Sequence, residues 1–169
     1  KNILLVVNDL GYGMVEPYAK KFPKNIYNAG VSEQSMMGYA AGLAASGKHV
    51  FVYSIGNFNT FRCAEQIRND IDYHKLSVTI VSAGAGVGYG NLGYSHHAIQ
   101  DYALIRSFPN MIIASPGDEM ELRSCMEYLV KSPQPSYLRL EKSSQFKAHN
   151  KKPKLYPGKW LKVFEYKNT

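Results

Sequence analysis

Cysteine and tryptophan are scarce in this chain, with two and one among 169 residues. Two thiols, Cys63 and Cys125, give little support to a disulfide framework and fit a reducing, cytoplasmic compartment. Long apolar runs are also missing. Stretches such as 78–82 (Val-Thr-Ile-Val-Ser) fall far short of the roughly 20 residues that cross a bilayer, so no membrane partner is expected. No secretory pattern stands near Lys1, and the sequence does not open on methionine. It is expected to be a piece of a longer protein. Arginine is absent after Arg139, where the lysines concentrate. Residues 141–169 hold eight Lys and two Glu, a balance of +6, whereas residues 1–140 hold 12 Lys+Arg and 11 Asp+Glu, a balance of +1. The net charge of +7 therefore lies in one tail and not over a folded face. Nucleic-acid surfaces mix arginine with stacking rings, so the tail reads as a solvated basic linker and no nucleic-acid partner is expected.

What is present is a core. Hydrophobic residues make up 45% of the chain, and a chain this long buries roughly two thirds of its unfolded surface. Short apolar runs alternate with helix-like ones. Strands are expected at 3–7, 26–28, 49–53, 78–82, 111–114 and 136–140. Helices are expected at 16–22, 33–45, 61–70, 99–106 and 118–131, with Ser32 as the N-cap of the second and Pro116-Gly-Asp118 opening the last. Continuous apolar strands separated by helices predict an α/β fold: an open, mostly parallel sheet with helices on both faces. Such sheets bind ligands beyond the carboxyl ends of their strands, here loops 8–13, 54–60 and 83–97. After Leu140 the periodicity stops. Residues 160–166 alternate like an edge strand and are read as the start of a missing C-terminal domain, leaving 1–140 as the main unit.

Several motifs carry chemistry. Glu33 is a lone carboxylate at the mouth of the apolar helix 33–45, where burial is costly unless the group is bonded. Gly88-x-Gly-x-x-Gly93 spells a dinucleotide fingerprint, but Tyr94-Ser-His-His-Ala98 separates it from the next helix. A glycine loop that lets backbone approach a ligand or a partner is the better reading. Ser95-His96-His97 with Asp101 suggests a hydrolase or a metal site, yet no second ligand pair stands at zinc spacing. Phe58 and Phe61, in Asn57-Phe-Asn-Thr-Phe61-Arg62, place two rings three apart as a loop becomes a helix, which suits stacking on a flat heterocycle as well as core packing.

Taken together, Asp9-Leu-Gly-Tyr-Gly13, Phe22-Pro-Lys24, Asn28-Ala-Gly-Val-Ser-Glu-Gln34, Gly38-Tyr-Ala-Ala-Gly42, Glu65-Gln-Ile-Arg68, Ser95-His96 and Phe108-Pro-Asn-Met111 resemble, in order and spacing, the pyrimidine-binding domain of the transketolase family. The resemblance runs over residues 1–140 and suggests one half of a split transketolase. It implies thiamine diphosphate, shared between this chain and a partner domain or subunit that holds the phosphates and Mg²⁺. In that scheme Glu33 hydrogen-bonds a ring nitrogen of the aminopyrimidine and drives proton transfer within the cofactor. Phe58 stacks on the ring, and Phe61 is a second pocket wall. His96 faces the substrate, and Arg139 reads a sugar phosphate. The implied reaction moves a two-carbon ketol unit between sugars, in a homo- or hetero-oligomer. No diphosphate motif of the Gly-Asp-Gly…Asn type occurs, so the chain alone is expected to be inactive. The partner is expected to dock along 33–45 and 61–70.

Three positions depart from the family pattern. Ala64 replaces a common aromatic at the pocket rim, Leu92 an aspartate four residues before His96, and Gly84 a histidine eight residues earlier still. The last two imply a modified or less hydroxylated sugar. Two other readings stand beside this one: another thiamine diphosphate enzyme, such as a deoxyxylulose-phosphate synthase or the β chain of a keto-acid dehydrogenase, and a non-catalytic α/β assembly domain.

Overall fold

The computed structural model describes residues 3–142 and 147–162. Six strands form one sheet in the order β2-β1-β3-β4-β6-β5, and every pairing is parallel. They are β1 (Ile3–Val7), β2 (Ile26–Asn28), β3 (His49–Ile55), β4 (Val78–Ala83), β5 (Ile112–Ala114) and β6 (Ser136–Leu140). All six residues of β4 are buried, which is why its sequence runs apolar instead of alternating. The strand order reverses between β1 and β3, and this reversal opens a crevice at their carboxyl ends.

Helices cover both faces. On one face α2 (Glu33–Ala45) and Ile105 of α5 (Asp101–Arg106) share a core with Val6, Val50, Val52, Ile80 and Tyr137. On the other, Leu129 of α6 (Glu119–Lys131) packs on Phe51, Val81 and Leu138. The short α1 (Glu16–Lys21), with Pro17 in its first turn, follows β1. Helix α2 buries Met36, Met37, Ala40, Ala41 and Ala44 and turns Gly38, Tyr39 and Gly42 outward. A Cβ built on Gly38 or Gly42 would meet nothing within 4 Å, so this outer face is open.

Two expectations about the helices need correction. The helix expected at 61–70 is a broken run: α3 (Gly56–Thr60), a 3-10 turn at Phe61–Cys63, α4 (Ala64–Gln66) and a π-helical turn at Ile67–Asp72. Such breaks in an α-helix often mark functional sites. Ser32 is not a side-chain cap; its hydroxyl donates back to Ala29 O at 2.9 Å, and the residues around it bend instead.

Asp118 does cap α6, accepting Glu121 N at 2.8 Å through Oδ1. Its other oxygen accepts Ala148 N at 2.9 Å, His149 N at 2.8 Å and the His149 ring at 3.0 Å. Further along, Ser124 bonds Pro153 O and Lys152 pairs with Glu127. Part of the basic tail is thus strapped onto α6. Trp160–Lys162 form no strand, and residues 163–166 of the expected edge strand lie outside the described residues.

The Glu121 N–H, and after it the His149 and Ala148 donors, hold the Asp118 carboxyl down at about 2 against the opposing effect of burial. A depressed folded value means the stabilisation is complete above the usual 3.8 and is lost as pH falls through about 2. Acid is therefore expected to release the tail between about pH 4 and pH 2. Hydrogen exchange at Ala148 and His149 reads this directly, and Asp118→Asn removes the transition from that window.

Candidate functional site

The crevice between β1 and β3 is built from the turn after β2, the turn after β3 and the loop after β4. Asn28, at the end of β2, accepts from Asp9 N at 2.9 Å and from Gly30 N at 3.0 Å through Oδ1, while its amide donates to Asp9 Oδ1 at 3.1 Å. Gly30 turns the chain at φ +70°, a conformation most side chains avoid. The chain then enters α2 with Glu33 as its first residue. Glu33 is only 6% exposed. The amino-terminal end of α2 favours its negative charge.

Its partner is Arg62. Nη1 of Arg62 stands 3.2 Å from Glu33 Oε1, and the same guanidinium lies over the Phe58 ring, 4.0 Å from the centroid. Spacing of four residues along the helical run puts these two side chains on one face. The Arg62 backbone is held separately, since its carbonyl accepts from Gln34 Nε2 at 2.8 Å. Next to them, burial first and the Glu33 charge second push the Cys63 thiol up to about 12. That thiol is structural and not nucleophilic.

The loop after β4 completes the site. Asn57 Nδ2 donates to Ser95 O at 2.7 Å, which brings the His96 ring to 5.0 Å from Phe58, tilted by 62°. Tyr89 stands 5.9 Å from the same imidazole, and Ser95 Oγ is 3.0 Å from His96 Nδ1. Gly84 has φ +85°, and a Cβ there would come within 2.0 Å of the Tyr89 ring. Glycine at this position is thus demanded by local geometry, and Tyr89 fills the space a longer side chain would need. Buried Asn59 pins α3 to β4, donating to Val81 O at 2.9 Å and accepting from Ser82 at 2.6 Å.

Glu33 and Phe58 are therefore linked through Arg62, and His96 joins them against the Phe58 ring. Phe61 is 44% exposed at the rim. Arg139 is tied into the chain. Its Nε pairs with Asp101 Oδ2 at 2.7 Å and its Nη2 donates to Ala98 O at 2.8 Å, with Tyr102 beneath at 4.4 Å. Burial opposes the charge of Arg139, but the bond and attraction from Asp101 outweigh it and hold the guanidinium above its usual value. Asp101 is fully buried and also accepts from Tyr137 Oη at 2.7 Å. No Ser-His-Asp arrangement is assembled among the described residues: Asp101 Oδ2 pairs with Arg139 and His97 Nε2 meets Gly90 O at 2.9 Å. Sequence reading did not single out Arg62, although its spacing from Phe58 was visible.

The residues fit an aminopyrimidine. A flat, nitrogen-bearing cation already lies on Phe58 while pairing by charge with a buried carboxylate. A flat heterocycle with a ring nitrogen directed at Glu33 makes the same two contacts.

Comparison with known proteins agrees. Residues 1–146 match the family described as the transketolase pyrimidine binding domain. The chain is 39% identical over 141 residues to a Methanocaldococcus jannaschii protein provisionally named a transketolase C-terminal section, covering 83% of this chain and 45% of that one. It is 37% identical over 145 residues to a Phocaeicola vulgatus protein named as one of the subunits of an apulose-4-phosphate transketolase, covering 85% and 46%. A solved structure described as a split gene transketolase in an inactive β4 tetramer superposes with a TM-score of 0.82 at 34% identity, over 94% of this chain and 51% of that one. The chain spans about half the length of these proteins. The α/β fold, the sequence match and the pocket converge, and the chain belongs to the transketolase pyrimidine-binding domain family.

Proposed function

We propose that this chain supplies the aminopyrimidine pocket of a split, thiamine diphosphate-dependent enzyme that transfers a two-carbon ketol unit between sugars. The observation that carries the reading is the buried Glu33 carboxylate facing a flat N–H group seated on Phe58. When bound, the cofactor supplies the electron sink for carbon–carbon bond cleavage. This chain's residues hold and orient it. Glu33 hydrogen-bonds a ring nitrogen and sets where the proton sits. Phe58 stacks on the ring, and Phe61 closes the rim. Ser95 engages His96 Nδ1, so Nε2 is the nitrogen through which His96 meets the sugar. Arg139 acts from behind, fixing Ala98 and so the loop that carries His96. Nε and Nη2 are engaged inside the chain, so a grip on a sugar phosphate falls to Nη1.

A partner chain holds the diphosphate and Mg²⁺ and docks on the open face of α2 around Gly38, Tyr39 and Gly42. The inactive state named for the similar tetramer supports a half that needs this partner. Leu92, Gly84 and the likeness to a protein named for apulose 4-phosphate support a sugar phosphate outside the common pentose series.

Calorimetry tests the assignment. The isolated chain is expected to show no micromolar binding of thiamine diphosphate with Mg²⁺, and tight binding is expected once the partner half is added. Micromolar binding by the isolated chain overturns the shared site. Product analysis with ketose against pyruvate donors is expected to give ketol transfer; acetaldehyde-derived products from pyruvate overturn the substrate class.

A further inference from the structure

We propose that Arg62 is a placeholder for the aminopyrimidine: in the cofactor-free chain its guanidinium occupies the ring's seat on Phe58 and satisfies Glu33, and it leaves as the cofactor arrives. The inference rests on the function proposed above and adds a residue that governs cofactor affinity.

Three observations carry it. The first is shape. A guanidinium is flat and delocalised, with fixed N–H donors and a face that stacks on aromatic rings. Arg62 lays its face 4.0 Å over Phe58 and its charge 3.2 Å from Glu33 Oε1 as an ion pair. Those are the two contacts a stacked heterocycle needs, so ring and guanidinium exclude one another. The second is need. Glu33 has 7% of its side chain exposed, and a buried carboxylate left without a partner is costly. Arg62 supplies one until the ring nitrogen does. The third is freedom to move. The Arg62 side chain is 51% exposed, while its carbonyl is anchored by Gln34 at 2.8 Å. The side chain swings into solvent with the backbone fixed, and the Phe58 seat keeps its place.

A competitor held in the same chain lowers apparent affinity by the fraction of time it occupies the site. An ion pair with a half-exposed partner plus one cation–π contact is modest, so the effect is about 3–10-fold.

The test uses the assembled enzyme, this chain with its diphosphate-binding partner, titrated with thiamine diphosphate at saturating Mg²⁺ in a calorimeter. Arg62→Ala is expected to bind the cofactor about 3–10-fold more tightly than wild type. Arg62→Lys, a point charge without a flat face, is expected to fall between them. Wild type that binds while Arg62→Ala binds equally or more weakly overturns the placeholder alone. Wild type that takes up no cofactor in the assembly overturns the proposed function, and the placeholder with it.

Discussion

Glu33→Ala is expected to lower kcat of the complete assembly by about 10²–10⁴-fold, the range over which a positioned acid–base group contributes. No other group in the described crevice replaces it. Arg62 is a cation, His96 packs edge-on against the Phe58 ring, and Asp101 Oδ2 is committed to Arg139 and Tyr137. Stability moves little, because the pair lost is to a half-exposed arginine, worth on the order of 1 kcal/mol or less. Removing a carboxylate from an apolar surround offsets even that. A variant that melts like wild type yet turns over at wild-type rate leaves only the reading of the chain as an assembly domain. Glu33→Gln keeps the shape and one hydrogen-bonding oxygen but has no carboxyl proton to share, so its kcat falls with that of Glu33→Ala.

Arg139→Met costs about 3–5 kcal/mol of folding stability, because it strands a carboxylate that has no access to water. Asp101 is fully buried and the Arg139 side chain is 14% exposed, so solvent cannot replace the lost partner. The Tyr137 hydroxyl, whose proton burial holds firmly, donates to the same oxygen but brings no charge. Adding Asp101→Leu to Arg139→Met recovers much of the loss, since neither charge is then buried alone. Urea melts of the two single variants and the double read the coupling. Were Arg139 instead a free reader of sugar phosphate, Arg139→Met would melt like wild type and raise KM only.

The sheet was legible because a strand buried on both faces has no choice but a continuous apolar run. The pattern at β1, β3 and β4 carried their parallel sense, whereas the strand order came from the structure. Glu33 was legible for the opposite reason, as a charge in a helix that is apolar all round. What escaped the sequence depends on distance in space. Nothing local says that Asp101 will meet Arg139 across 38 residues and so leave the histidine loop without a triad. The break of the helix after β3 was also hidden, since 61–72 has ordinary helix-forming composition and the π turn still buries Ile67 and Ile71 in the core. Ser32 had the right identity for a cap, but the tight bend at Gly30 sends its hydroxyl back to Ala29. Gly84 was read as a missing substrate contact; its positive φ and the Tyr89 ring give it a second, purely steric reason.

One complex decides the central claim: this chain, its diphosphate-binding partner, Mg²⁺ and the coenzyme, seen at atomic detail. The account requires a Glu33 carboxyl oxygen within about 2.6–3.2 Å of a ring nitrogen, with the ring lying on Phe58. A complex in which Glu33 still holds Arg62 while the heterocycle binds elsewhere contradicts it.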